Sequence, residues 1–201
     1  MADNFDKETI LTPLTELGQR LDDQGLSMHI YLVGGAAMAL TYDNRRVTCD
    51  IDAIFDESRV EFSIIQEMAV EHGLPEHWLN TAARTYLPGD DRLAPVLEIA
   101  GLTISTASPR HMLAMKMAAF RTQDQGDLRL LFDVNGISNP EEAVDIVFSV
   151  YGPDYATMFG SREDYVLRAG SILAQNETLK GNQTSIAGPI PDDRSDSSII
   201  P

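Results

Sequence analysis

The chain has 201 residues, 43% of them hydrophobic, and its 31 acidic against 15 basic side chains give a formal charge of −16. That length supports one sizeable core with an appendage rather than two full domains, and no apolar run approaches the roughly 18 residues that a helical membrane span needs. The acidic balance repels polyanions, and basic residues cluster nowhere beyond Arg45-Arg46, which argues against a long nucleic-acid footprint and suits a metal-neutralised nucleotide or a cationic acceptor. The single Cys49 rules out an internal disulfide, and His29, His72, His77 and His111 lack the spacing of a zinc site. The polar, acidic start MADNFDKETI carries no secretory signal, so a cytoplasmic location is expected.

In chain order, Ile10, Leu14, Leu17 and Leu21 recur at helical spacing before Gly25, predicting an amphipathic helix over one face of a sheet. MHIYLV (28 to 33) reads as a strand, Gly34-Gly35 as a turn, AAMALTY as a helix and CDIDAIF (49 to 55) as a second strand. The next helix starts at a capping box formed by Ser58 and Glu61 and stops at Gly73. A loop-rich stretch from Leu74 to Asp91 holds the one tryptophan, Trp78, and LAPVLEI and LTIST around Ala100-Gly101 then read as a hairpin, for about four strands.

Three helical starts follow. Ser108-Pro109 precedes a helix with Leu113, Met117 and Phe120 on its core face and Met115 beside it, Asn139-Pro140-Glu141-Glu142 opens a second, and Ser161 to Asp164 opens a third that reaches about Asn176. From Gly181 the composition turns to Gly, Pro, Ser and Asp, as in disordered tails. The expected fold is therefore α/β (α+β): a core over 1–107 built on a small mixed sheet flanked by helices, a helical part over 108–180 that completes the site, and a tail over 181–201.

Residues two apart on a strand share a face, so Asp50 and Asp52 stand side by side. Two adjacent carboxylates repel unless a cation neutralises them, and such an all-oxygen pair suits Mg²⁺ bridging to phosphates. For an isolated Asp-x-Asp, a short and common pattern, the ordinary reading is a solvent-facing strand edge with two solvated aspartates. The upstream Gly34-Gly35 strengthens the chemical reading, because a strand that ends in glycines and turns into a helix lets backbone amides approach a phosphate. Neither a Walker loop nor the glycine fingerprint of a dinucleotide site is present.

The order strand, Gly34-Gly35, helix, then Arg46-x-Thr48-x-Asp50-x-Asp52 resembles the polymerase-β-type minimal nucleotidyltransferases, in particular the branch of abortive-infection and toxin–antitoxin nucleotidyltransferases. A second match is MLAMKMAAFRTQDQGDL, residues 112 to 128, which is similar to that branch's LLxMKLAAxRxxDxxDL. The resemblance covers about residues 28 to 132.

It implies transfer of a nucleoside monophosphate from a nucleoside triphosphate to an acceptor hydroxyl, with one or two Mg²⁺ ions on Asp50, Asp52 and a third carboxylate. Glu98, the acidic residue inside PVLEIAG, fills that third place. Gly34, Gly35, Arg46 and Thr48 would border the nucleotide, Lys116 would touch its phosphates, Arg121 would support the site, and Asp124 and Asp127 would lie near the nucleotide or hold Arg121. Relatives often carry Gly-Ser where this chain has Gly34-Gly35, so a hydroxyl contact to phosphate is missing here. Read without the resemblance, Lys116 is a lysine whose stem covers apolar surface with its head in water, and Arg121, Asp124 and Asp127 are surface ion pairs.

The acceptor is open: a tRNA end, which the −16 charge disfavours, a protein side chain, or a small cation such as an aminoglycoside. The competing reading is a non-catalytic binding module that keeps the fold and pairs with a toxin–antitoxin partner protein. No membrane partner is expected.

Overall fold

The computed structural model describes residues 5–56 and 61–186. The capping box at Ser58 and the chain beyond Ile186 lie outside the described residues. Helix α1 spans Lys7–Asp23, opened by an Asp6 capping box with Thr9. Strand β1 (Met28–Leu32) leads into α2 (Gly34–Ala37), which widens into a π-type turn over Met38–Tyr42. Then come β2 (Ile51–Ile54), α3 (Glu61–His72) and β3 (Leu79–Asn80), followed by a 3₁₀ turn over Ala82–Tyr86. Strands β4 (Val96–Ile99) and β5 (Leu102–Thr106) form the predicted hairpin. Helices α4 (Pro109–Ala119), α5 (Gln125–Val134), α6 (Pro140–Tyr151), α7 (Pro153–Ala156) and α8 (Arg162–Ile186) complete the chain. None of the described helices is long and apolar enough to cross a membrane.

The mixed sheet has five strands in the order β3-β2-β1-β5-β4. Four were expected; the fifth is the two-residue β3, inside the stretch read as loop, which pairs Ile51 with Leu79 and Asp52 with Asn80. Alternation sets the two faces. Ile30, Leu32, Ile51, Ala53, Leu102 and Ile104 are buried on the face toward α1, which packs across β5 and against α3. His29, Tyr31, Asp52, Ile54, Thr103 and Ser105 occupy the opposite face. This second face positions the site.

Several sequence expectations shift by packing. The last helix runs to Ile186, ten residues past Asn176 and through Gly181, so the polar composition from 181 does not end it. Helix α4 was expected to bury one face, yet every residue from Met112 to Ala118 is buried. It is wrapped by α5, α6 and α8, which turns an amphipathic helix into the spine of the helical half. That half is not a separate layer: Arg168 of α8 donates to the carbonyls of Met117 (2.9 Å), Ala118 (3.4 Å) and Phe159 (3.1 Å). A guanidinium thus satisfies carbonyls left open at the C-terminus of α4, where the helix dipole favours a cation. Phe120, in left-handed conformation at φ 41°, then turns the chain into the segment that carries Arg121.

Candidate functional site

The site forms where β1 ends and β2 begins. Gly34 sits at φ +61°, and a Cβ placed on it would lie 2.5 Å from Asp52 Oδ2. Glycine is required here twice over, for the backbone conformation and for the approach of the carboxylate. Gly35 makes the same allowance for the Thr48 hydroxyl, which packs against it. Val33, the residue before α2, makes no side-chain cap to that helix.

The strand expected over 49 to 55 begins only at Ile51, so Asp50 lies in a bend just before β2, and its charge acts on Asp52 from there. Asn80 Nδ2 donates to Asp50 Oδ2 at 3.2 Å, and Asn80 Oδ1 accepts from Ala82 N at 2.9 Å, so one amide both orients a carboxylate and starts the 3₁₀ turn. Burial, and then the charge of Asp50 beside it, push the Asp52 carboxyl up from 3.8 to about 6. An elevated carboxylate is the electrostatic sign of an uncompensated pair, and it fits a divalent cation. Among the described residues, the one cluster of three ligand-type side chains is Glu16, Glu71 and His72, which lies on α1 and α3 and is already bound to Arg20. Asp50 and Asp52 therefore have no third side-chain ligand close by among those residues. Two carboxylates nevertheless suit Mg²⁺, which keeps several waters and takes substrate oxygens.

A cleft opens in front of Asp52. Its lining mixes polar groups, Asp52, Lys116 and Arg121, with the apolar surface of Ala82, Ala83, Tyr86, Met112 and Met115 around Gly34. Behind Lys116 and Arg121 runs a chain of charges. Lys116 Nζ lies 2.7 Å from Asp124 Oδ1 and 2.7 Å from Asp127 Oδ2. Asp127 also faces Arg46, 3.2 Å from its Nε. Asp124 holds Arg121 through Nε (2.9 Å) and Nη2 (3.4 Å). Burial alone would push Asp124 up, but Arg121 and Lys116 hold it below the usual carboxylate range.

The expected residues therefore separate into groups. Gly34, Asp52, Lys116 and Arg121 meet at the cleft, with Asp50 next to Asp52. Gly35 and Thr48 pack behind the glycine turn, and Asp124, Asp127 and Arg46 form the buried support. Glu98 is a correction. It is exposed on edge strand β4 and accepts from the Thr103 hydroxyl at 2.9 Å. With β1 and β5 between β4 and β2, it is displaced from Asp52 by three strand spacings, roughly 14 Å in that direction alone. The reason is topological: the apolar LTIST strand of the hairpin pairs in parallel with β1, which pushes the strand of Glu98 outward.

Sequence reasoning missed Asn80 and Tyr86. Asn80 falls in a strand too short to show a period, and Tyr86 reaches the cleft from a 3₁₀ turn that no pattern announces. The turn is itself tethered: Arg84 Nη2 donates to the Phe55 carbonyl (2.6 Å), Tyr151 OH to the Tyr86 carbonyl (2.6 Å) and Tyr155 OH to the Thr85 carbonyl (3.2 Å). Farther along, Asp91 accepts from Tyr31 OH (2.8 Å) and Ser108 N (2.7 Å), pinning the following loop to the sheet and to the start of α4.

A family model described as a nucleotidyltransferase of unknown function (DUF6036) matches residues 9–135. The chain belongs to that family. The matched span runs from α1 through α5 and includes every cleft residue named above. No curated protein and no solved structure shows significant similarity to the chain.

Proposed function

We propose that the protein is a Mg²⁺-dependent nucleotidyltransferase that moves a nucleoside monophosphate from a nucleoside triphosphate to an acceptor hydroxyl, as in the polymerase-β-type minimal enzymes that its motifs resemble. The observation that carries this reading is the desolvated Asp52 carboxylate, set against a glycine with no room for a side chain, next to Asp50 and in the same cleft as Arg121. In the reaction the acceptor oxygen bonds to the α-phosphorus, the bond from that phosphorus to the bridging oxygen breaks, pyrophosphate leaves, and the hydroxyl proton passes to solvent. Asp50 and Asp52 would hold Mg²⁺, whose charge offsets that developing on the phosphates during in-line displacement. Asn80 keeps Asp50 turned toward the pair, and Gly34 admits the phosphates close to backbone amides. The apolar surface of Tyr86, Met112 and Met115 supports seating of the apolar face of a nucleobase. The acceptor lies beyond this reading, and the −16 charge favours a cationic one.

The test is a thermal-shift titration with ATP, GTP, CTP and UTP, each with and without Mg²⁺, on the wild type and on Asp50→Asn/Asp52→Asn. A Mg²⁺-dependent rise with at least one nucleotide, lost in the double variant, is expected. The displacement of Glu98 favours one second reading, a binding module of a toxin–antitoxin pair that holds nucleotide without turnover. Binding indifferent to Mg²⁺, with no pyrophosphate released in the presence of any acceptor, would establish that reading instead.

A further inference from the structure

Two cations border the cleft, and the fold treats them oppositely. The Lys116 side chain is 5% exposed and sits between the carboxylates of Asp124 and Asp127, which are 1% and 9% exposed. Drawing its ammonium toward a ligand would strip two buried anions of their counter-ion. The Arg121 side chain is 55% exposed. It spends Nε and Nη2 on Asp124, and Nη1 has no hydrogen-bond partner among the described residues. The ion pairs form a chain, Arg121–Asp124–Lys116–Asp127–Arg46, and of its two terminal guanidiniums Arg121 is the more exposed and the one that lines the cleft, with Asp52 and Tyr86. Resting on the pyrophosphate-releasing reading above, we propose that Arg121, not Lys116, is the side chain that binds the polyphosphate of the nucleotide, and that Asp124 is the positioning residue that aims it. A planar fork with free N–H groups matches phosphate oxygens in a way that a buried, doubly paired ammonium does not.

Tripolyphosphate with Mg²⁺ is the probe, since it presents the three linked phosphates of every nucleoside triphosphate and no base; its affinity for the full chain is measured by titration calorimetry. Arg121→Ala is expected to weaken binding at least tenfold, and Arg121→Lys, which keeps the charge and loses the fork, to fall between. The charge-balanced Lys116→Met/Asp127→Asn removes the buried ammonium and keeps Arg121 and Asp124, and its affinity should fall by less than that of Arg121→Ala. Asp124→Asn separates aiming from charge. By charge alone, removing an anion beside the site strengthens polyphosphate binding, whereas a lost support weakens it and broadens the Arg121 Nε–H resonance in ¹⁵N spectra; weakening with broadening is expected. An unchanged affinity in Arg121→Ala overturns the proposal, and because Arg121 is half-exposed that variant folds even where a Lys116 variant does not. Loss confined to the Lys116 variant, with Mg²⁺-dependent nucleotide binding intact in the wild type, overturns this assignment alone. No binding of any nucleotide or polyphosphate by the wild type overturns the nucleotidyltransfer reading with it.

Discussion

Asp52 is held in the cleft at a cost to the fold. Burial, and then the charge of Asp50, push its carboxyl up to about 6 against 3.8 for the ordinary group, so between pH 4 and 6 the native state holds a proton that the unfolded chain has released. Native stability from this group therefore falls as pH rises through that window and is flat above it. A difference of that size corresponds to about 3 kcal/mol at most, and partial exposure lowers that to the order of 1–2 kcal/mol. Asp52→Asn should accordingly raise the melting temperature at pH 7.5 by several degrees, with the gain vanishing near pH 4, while abolishing any Mg²⁺-dependent nucleotide shift; melts at both pH values check it. Gly34→Ala should do the reverse. Its methyl group meets Asp52 Oδ2 at 2.5 Å from a backbone at φ +61°, which costs on the order of 1–3 kcal/mol and displaces the carboxylate. A melting temperature equal to wild type would refute this account of the glycine.

Among the elements, α4 and the 3₁₀ turn depend most on neighbours far along the chain. Arg168 reaches back from α8 to the last carbonyls of α4 and stacks on the Phe120 ring, 5.3 Å from its centroid. Hydrogen bonds to charged groups contribute about 1.5–3 kcal/mol. Arg168→Met should cost about that much in urea unfolding, and it should also weaken Mg²⁺–tripolyphosphate binding, because Arg121 follows directly on the turn that Arg168 supports. Tyr151→Phe removes the donor to the Tyr86 carbonyl and leaves that carbonyl without its partner, a loss of about 1–3 kcal/mol. Hydrogen exchange should report faster opening over Ala82–Tyr86, with α1 unaffected.

Across the whole molecule, the family match ends at residue 135 but the buried core does not. Val144 and Val147 of α6 and Tyr165, Ala169 and Ile172 of α8 belong to the same buried core as Met112 and Met117 of α4. A chain cut after Asn135 would expose the surface of α4 that α6 and α8 cover, and it should give no cooperative melt and bind a hydrophobic dye. A two-state melt of that fragment would instead make the helical half a separate domain.

The local features of this protein were legible in its sequence. Strands β1 and β2 follow from runs of apolar residues and the turn between β1 and α2 from Gly34-Gly35, and the starts of α4 and α6 from Ser108-Pro109 and Asn139-Pro140, because these signals act over a few residues of backbone. The partners of those features were not legible. Whether Glu98 reaches Asp52 depends on which hairpin strand pairs with β1, and no pattern within β4 or β5 states that. Lys116 illustrates the same limit: its spacing placed it beside the apolar stripe with its head in water, whereas packing by α5, α6 and α8 closes over α4 and leaves Asp124 and Asp127 to meet the ammonium. Sequence periodicity specifies which face a side chain takes on its own element. The burial of that face, and hence which charges must be paired inside and which one stays free for a ligand, is decided only when distant elements pack against it.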